Sequence, residues 1–399
     1  MKPLNNNAHP LESLLQQHCP NGVEFKELGE LELNKILNLG RGKIISQNDL
    51  KNCPGEYPVY SSSATKNGEI GKYGKYMFDD ERITWSIDGG GKFFYRNHLK
   101  YSVTNVCGWI KVINLDELNT KFLFYALINE WVKKKFNYTK KAHPSIIKKE
   151  YCIPLPPLEI QYKIVEILDA FTELEAELEA ELEAELEARL KQYHYYRNKL
   201  LSHDELENRT AKSRNDSDPT PLVPLVTLGE VCEVKRGVRV TKKDLTENEK
   251  YPVFQNSLTP MGYYNQSNVN ANTPFIIVGG SAGEIGWSSS SYWAADDCIY
   301  FICEKSLMNR FLYHALCNQQ HYFLSQVRKA SIPRLSQDCI KKLKIPLPPL
   351  AVQNEIVELL DKFDTLTNDL TSGIPAEIEA RKKQYEYYRE RLLSFIAKD

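Results

Sequence analysis

Ile153-Pro-Leu-Pro-Pro-Leu158 occurs a second time as Ile345-Pro-Leu-Pro-Pro-Leu350, and the chain that follows repeats with it. Gln161, Ile164, Val165, Glu166, Leu168, Asp169 and Phe171 answer to Gln353, Ile356, Val357, Glu358, Leu360, Asp361 and Phe363. Glu187-Ala-Arg-Leu-Lys-Gln-Tyr193 answers to Glu379-Ala-Arg-Lys-Lys-Gln-Tyr385. Tyr195-Tyr-Arg197 and Leu200-Leu-Ser202 answer to Tyr387-Tyr-Arg389 and Leu392-Leu-Ser394. The offset, 345 less 153, is 192 throughout and has no gap, which chance does not produce. Upstream of each copy the match is looser but keeps its order. Leu28-Gly-Glu30 matches Leu228-Gly-Glu230, Arg41-Gly42 matches Arg236-Gly237, and Tyr57-Pro-Val-Tyr60 matches Tyr251-Pro-Val-Phe254. Phe122-Leu-Phe-Tyr-Ala-Leu127 matches Phe311-Leu-Tyr-His-Ala-Leu316, and Lys140-Lys-Ala-His-Pro144 matches Lys329-Ala-Ser-Ile-Pro333. Each half is therefore a diverged globular domain followed by a closely matched helix.

The helices follow from periodicity. Proline disfavours helix in the residue before it, so each Pro-Pro pair ends an extended approach. Ile164, Ile167, Leu168 and Phe171 then make one apolar face. Leu174, Leu178, Leu182, Leu186 and Leu190 continue it at a spacing of four, in a run of strong helix formers. A helix from Leu158 to Ser202 spans roughly 65 Å. Its counterpart runs from Leu350 to Phe395, with a kink expected at Gly373 and Pro375. A four-residue step drifts around the helix by about 40° per repeat, so the seam is not a strict heptad.

The globular segments read as mixed α/β (α+β). Arg82–Ile87, Pro274–Val278 and Cys298–Ile302 have strand composition, and Phe122–Phe136 and Leu307–Val327 have helical composition. The expected organisation is a first domain at 1–152, a central helix at 153–202, a polar linker at 203–221, a second domain at 222–344 and a distal helix at 345–399.

Charge is segregated along the chain. Its net charge is −1, yet residues 1–152 hold 22 Lys and Arg against 16 Asp and Glu. Residues 153–202 hold 5 against 11, residues 203–344 hold 17 against 15, and the remainder 7 against 10. Two basic domains alternate with two acidic helices, a distribution compatible with a nucleic-acid partner. Nine cysteines without a Cys-x-x-Cys pattern point to reduced thiols, not a disulfide framework or a zinc site. No apolar run is long enough for a membrane span. Met1-Lys-Pro-Leu-Asn-Asn-Asn7 lacks a signal-peptide core, so a cytoplasmic location is expected.

Catalytic constellations are missing. Gly89-Gly-Gly-Lys92 is followed by Phe93, not Ser or Thr, so it does not satisfy a phosphate loop. Gly279-Gly280 with Gly283 and Gly286 lacks the dinucleotide frame. The acidic pairs Asp79-Asp80 and Asp296-Asp297 read as turn or capping residues. No enzymatic activity and no cofactor or metal are expected of this chain alone. A self-contained nuclease or methyltransferase, and a coiled-coil scaffold with two peptide- or glycan-binding heads, are the competing readings.

Two variable domains alternating with helices headed by Ile-Pro-Leu-Pro-Pro-Leu-x-x-Gln resemble the DNA specificity subunits of type I restriction-modification systems. Ile356-Val-Glu-Leu-Leu-Asp-Lys-Phe-Asp-Thr-Leu-Thr367 and Lys383-Gln-Tyr-Glu-Tyr-Tyr-Arg389 carry the resemblance. The Glu-Ala-Glu-Leu phase from Glu173 to Ala188 looks like the Thr-Ala-Glu-Leu repeat of the family's IC branch. Leu11-Glu-Ser-Leu-Leu15 and Gly22-Val-Glu24 resemble the family's opening. The resemblance spans the chain and implies that each domain is a target-recognition domain reading one half-site of double-stranded DNA. It implies an antiparallel coiled coil of the two helices, with pseudo-two-fold symmetry, as the spacer. It also implies two methyltransferase subunits as partners, with a restriction/translocase subunit as an optional further member. Methyl donor, ATP and Mg²⁺ would belong to those partners.

Physics points the same way, since separated half-sites need two readers on a rigid separator. Candidate DNA-binding residues in the first domain are Arg41, Lys43, Ser62, Ser63, Lys66, Lys92, Arg96, Lys140 and Lys141. In the second they are Arg236, Arg239, Lys242, Lys243, Asn256, Ser257, Arg328, Lys329 and Arg334. Tyr193, Tyr195, Tyr196, Tyr385, Tyr387 and Tyr388 are candidates for partner docking, with packing between the helices as the other use of the same rings.

Overall fold

A computed structural model describes residues 10–62, 66–97, 100–134, 136, 140–213, 223–246, 249–328, 331–368 and 372–395. The chain divides into two compact units, Met1–Ala180 with Glu379–Asp399, and Glu181–Ile378. The division falls inside the central helix, so each unit is one globular domain with part of each helical segment.

In the first unit, strand Phe25–Glu27 pairs antiparallel with Cys152–Pro154, tying the domain's entrance to its exit. Leu37–Arg41, Cys107–Val112, Arg82–Ser86 and Phe93–Arg96 form a four-stranded sheet in that order, antiparallel throughout. A smaller sheet orders Glu69–Tyr73, Tyr57–Tyr60 and Ser102–Val103, the last pair parallel. Helix Thr120–Val132 starts where the Asn119 side chain accepts from the Lys121 and Phe122 amides. It buries Phe122, Leu123 and Leu127 with Ile83, Trp85, Ile110 and Ile153. Ile160, Ile164 and Leu168 of the central helix, and Leu393 of the last helix, belong to the same core.

The second unit repeats this plan. Leu225–Thr227 pairs with Lys344–Pro346. The larger sheet orders Cys232–Arg236, Cys298–Cys303, Thr273–Ile277 and Ile285–Ser288, and the smaller one Tyr263–Tyr264, Tyr251–Phe254 and Trp293–Ala294. The helical stretch expected over Leu307–Val327 is two helices, Asn309–Asn318 and Gln320–Gln326.

The central helix is one element, Leu158–Leu200. The distal segment is two, Leu350–Asn368 and Ile374–Leu393, divided where Gly373 and Pro375 stand; residues 369–371 lie outside the described ones. Within the first unit the pairing is antiparallel. Lys382 meets Glu179 at 2.6 Å, Tyr385 meets Thr172 at 2.8 Å, and Tyr388 stacks on Phe171. Within the second, Tyr196 stacks on Phe363 and Arg209 pairs with Glu355, again in opposite directions. The Tyr388–Phe171 and Tyr196–Phe363 stacks are the same contact at the 192-residue offset.

One expectation is corrected. The segment expected as a linker begins with helix His203–Ser213. Leu206 and Thr210, one turn apart, are fully buried in the second unit. Arg209 bonds Glu205 at 2.7 Å, and the His203 ring bonds the Val223 carbonyl at 3.0 Å. Among the described side chains of this helix only these two are buried, so its sequence reads as polar. Residues 214–221 of the expected linker lie outside the described ones.

Candidate nucleic-acid interface

The surface loops of each domain gather at the sheet ends. In the first unit the hub is the turn Thr104–Cys107. Gly42 packs so closely against it that a Cβ would stand 2.0 Å from the Val103 carbonyl oxygen. This holds the flanking Arg41 and Lys43, both exposed, beside the turn. The Thr104 hydroxyl donates to the Ser61 hydroxyl at 2.9 Å, and Ser62 donates to the Val106 carbonyl. Ser62 also accepts from the Asp88 amide at 3.0 Å. Asp88 in turn holds Lys141 at 3.1 Å. Arg41, Lys43, Ser62 and Lys141, far apart in sequence, thus share one neighbourhood.

The other first-domain candidates are placed differently. Arg96 is only 6% exposed. Its guanidinium lies 3.5 Å over the Tyr60 ring and donates to the Thr84 hydroxyl at 3.0 Å. Burial lowers its pKa, and the arginine braces the sheet's interior where a surface reader was expected. Lys92 lies over the Phe94 ring, and Lys140 pairs with Glu150 at 3.1 Å. Ser63 lies outside the described residues. Lys66 opens a short turn, Lys66–Gly68, but its side chain is not among those described. Gly89–Lys92 is a turn leading into strand Phe93–Arg96, not into a helix. Asp80 binds Arg82 at 2.6 Å and also Lys111. Burial alone would raise its carboxyl, but those bonds hold it below its ordinary value.

The second unit builds the corresponding neighbourhood around Asp296 and Asp297. Gly237 meets the Ala294 carbonyl as Gly42 meets Val103, a Cβ there standing 2.3 Å from the oxygen. Arg236 donates its Nε to the Asp296 carbonyl at 2.6 Å and brings its Nη2 to 3.6 Å from Asp297 Oδ1. Arg334 Nη1 donates to the same Oδ1 at 2.9 Å. Arg328 and Arg334 exchange backbone hydrogen bonds at 2.9 and 3.2 Å. The Asn256 carbonyl accepts from Ser281, and Asn256 packs against Gly280, whose amide donates to the Pro333 carbonyl. Arg236, Asn256, Arg328 and Arg334 are therefore brought together. Arg239 and Lys243 are exposed further along their loop, and Ser257 bonds the Thr259 carbonyl at 3.0 Å. The Lys242 side chain and Lys329 lie outside the described residues. Residue-by-residue reading missed Asp88 and gave Asp297 only a turn role; aligning the two hubs through their shared backbone bonds finds both.

The tyrosines divide. Tyr193 is 3% exposed, with its hydroxyl 3.2 Å from His314 Nδ1. Tyr196, Tyr385 and Tyr388 make the helix-to-helix contacts given above. Tyr195 and Tyr387 are the most open, 60% and 57% exposed, against 36% and 38% for Tyr196 and Tyr388. Within the first unit Phe171, Leu174, Leu178, Tyr385 and Tyr388 line a shallow, mostly apolar cleft. Among the described residues there is no group of three or more His, Cys, Asp or Glu placed to hold a metal ion, and no helix long and apolar enough to cross a membrane.

Two tandem domains of one topology, each with a basic loop cluster and each followed by a long helical segment, define a duplicated protein. The model of the type I restriction modification DNA specificity domain matches the chain twice, over residues 20–188 and 223–380. A protein of Mycoplasma pneumoniae named as a type I specificity subunit is 31% identical, over 92% of this chain and 97% of its own length. One from Haemophilus influenzae, named as a type I restriction enzyme specificity subunit, is 32% identical over 98% of this chain and 100% of its own. A solved structure concerned with complex assembly and conformational transition of the type I R-M system shares the fold. Its TM-score is 0.60 at 17% identity, covering 94% of this chain and 98% of that one. The chain belongs to the type I restriction-modification DNA specificity family.

Proposed function

We propose that this chain reads a split site on duplex DNA for a type I restriction-modification complex, one half-site per globular domain, and performs no chemistry itself. The supporting observation is the hub that recurs in both domains. The backbone frame is kept, with Arg41-Gly42 in one and Arg236-Gly237 in the other, while the side chains set on that frame differ. A common frame with altered polar groups is what two readers of different sequences require. Phosphate contacts position such a reader and base-edge contacts specify the site. The helical segments then set the gap between half-sites. Two methyltransferase subunits dock on the helices, where Tyr195 and Tyr387 are open, and a restriction/translocase subunit is an optional member. Methyl donor, ATP and Mg²⁺ are bound by those partners, in the cytoplasm.

The test is the methylated-base map of the source strain compared with a strain lacking this gene. One bipartite motif should disappear. An unchanged map, or methyl transfer or cleavage by the rigorously pure chain supplied with methyl donor, ATP and Mg²⁺, would overturn the proposal.

A further inference from the structure

The two hubs share a frame of backbone bonds. Ile87 donates to the Val106 carbonyl and accepts from the Ala142 amide; Val278 donates to the Asp297 carbonyl and accepts from the Leu335 amide. Asp88 therefore corresponds to Gly279, Val106 to Asp297, and Lys141 to Arg334. This corrects the sequence match of residues 140–144 with 329–333, because the shared backbone bonds set Ala142 against Leu335. Each domain has a hub carboxylate that holds the loop cation, but at opposite places; the neighbouring Asp296 of the second domain faces Gln255 at 3.5 Å instead. The first domain has Asp88 with Val106; the second has Gly279 with Asp297. In both, the carboxylate binds the cation of the same loop, Lys141 at 3.1 Å and Arg334 at 2.9 Å. Gly279 is what admits the second arrangement, since a Cβ there would lie 2.6 Å from the Asp297 carboxyl carbon.

We infer that Asp297 and Asp88 are positioning residues that aim Arg334 and Lys141 at a guanine in their respective half-sites. The inference rests on the DNA-reading role proposed above. Asp297 is 15% exposed, whereas Arg236 and Arg334, which share its Oδ1, are about half open, at 52% and 53%. One shielded carboxylate thus fixes two half-open guanidiniums at the surface. A guanidinium fixed at one nitrogen keeps other donors of its fork for a ligand, and the fork matches the O6 and N7 acceptors of guanine; lysine reads the same edge. A side chain held in place before binding loses less freedom on binding. A structural ion pair would not need its carboxylate rebuilt from a different strand end to meet the same loop. Recurrence of the pair by two routes is the observation that singles out the cation as the group being placed.

The test uses the full chain in its complex in the host, read by methylated-base mapping. Arg334→Ala and Asp297→Asn should relax the same single guanine position of one half-site, raising methylation of sites with another base there by about tenfold relative to the full motif. Asp297→Glu should restore discrimination. The other half-site should respond only to Lys141→Ala and Asp88→Asn. Uniform loss of methylation without relaxation at any base by Arg334→Ala, or relaxation of different positions by Arg334→Ala and Asp297→Asn, would overturn the inference. Should Asp297→Asn abolish methylation altogether, Arg334→Gln decides: relaxation at that position, or a shift there towards adenine, supports the assignment and an unchanged motif overturns it. If no variant shifts the motif while exchange of residues 1–152 still changes one half-site, this inference fails and the DNA-reading role stands. If the exchange also changes nothing, the DNA-reading role itself fails.

Discussion

Gln161 joins the central helix to the first domain through three bonds. Its Oε1 accepts from the Asn119 amide at 2.8 Å, and its Nε2 donates to the Glu117 and Pro156 carbonyls at 2.9 and 2.8 Å. Gln353 repeats all three, with the Met308 amide and the Ser306 and Pro348 carbonyls, each at 2.8 Å. Both amides are fully buried, so Gln161→Leu strands three backbone groups and should destabilise the first unit by about 3 kcal/mol. Denaturant unfolding of wild type and variant measures it; an unchanged midpoint would contradict the role. The repeated Gln was plain in the sequence, but its purpose was not, because two of the three partners of each lie 42 to 47 residues upstream. His314 shows the same limit. It stands where the first unit has Tyr125, which donates to Asp169 at 2.6 Å. The His314 ring donates Nε2–H to Asp361 at 2.7 Å and accepts the Tyr193 hydroxyl at Nδ1, as a neutral imidazole does. Burial holds its pKa below the usual value, with Arg310 adding to the effect against Asp361 and Asp364; Tyr193, Tyr313 and Cys317 are further titratable groups of this core. The unfolded chain then binds a proton that the folded chain refuses. The stabilisation is complete above about pH 6.5 and is lost as pH falls through the folded pKa. Burial alone would raise the Asp361 carboxyl, but its His314 and Arg310 bonds hold it below the ordinary range, so its own contribution is lost only in stronger acid. His314→Tyr should flatten the fall in urea midpoint below about pH 6.5. An identical slope in wild type and variant would contradict this.

At the scale of elements, the central helix was the most legible part. Its start at Leu158 was marked by the prolines, and its end falls at Leu200 instead of Ser202. The four-residue leucine step shows in its burial. Ile160, Ile164 and Leu168, ahead of the repeat, are fully buried. Within the repeat, Leu178, Leu182, Leu186 and Leu190 are only half-buried, and Leu174 is exposed. A stripe that drifts by about 40° per step does not keep every leucine against one neighbour. The repeat nevertheless sets a length. Removing one Glu-Leu-Glu-Ala unit leaves the stripe continuous and shortens the helix by about 6 Å, against a base-pair rise of about 3.4 Å. The gap between half-sites should shrink by one or two base pairs with both half-site sequences unchanged. Methylated-base mapping reads this directly, and an active complex with an unchanged gap would show that the helix does not set it. Helix His203–Ser213 was the least legible element, because Leu206 and Thr210, the two buried among its described side chains, give periodicity little to register.

For the whole molecule, the tandem plan was open to sequence reading because the repeat keeps one offset through the helices. The sheets were legible only in part. Their long apolar strands stood out, whereas short pairs such as Ser102–Val103 and Trp293–Ala294 depend on contacts that no local pattern records. The hubs were the hardest part, since Arg41, Ser62, Asp88 and Lys141 meet only once the sheet is built. Two domains with one frame and separate hubs should be separately exchangeable. The most direct measurement is the methylated motif made by a complex whose specificity chain carries residues 1–152 of a relative. One half of the motif should change, while the other half keeps its sequence. A motif changed in both halves, or in neither, would contradict the two-reader account.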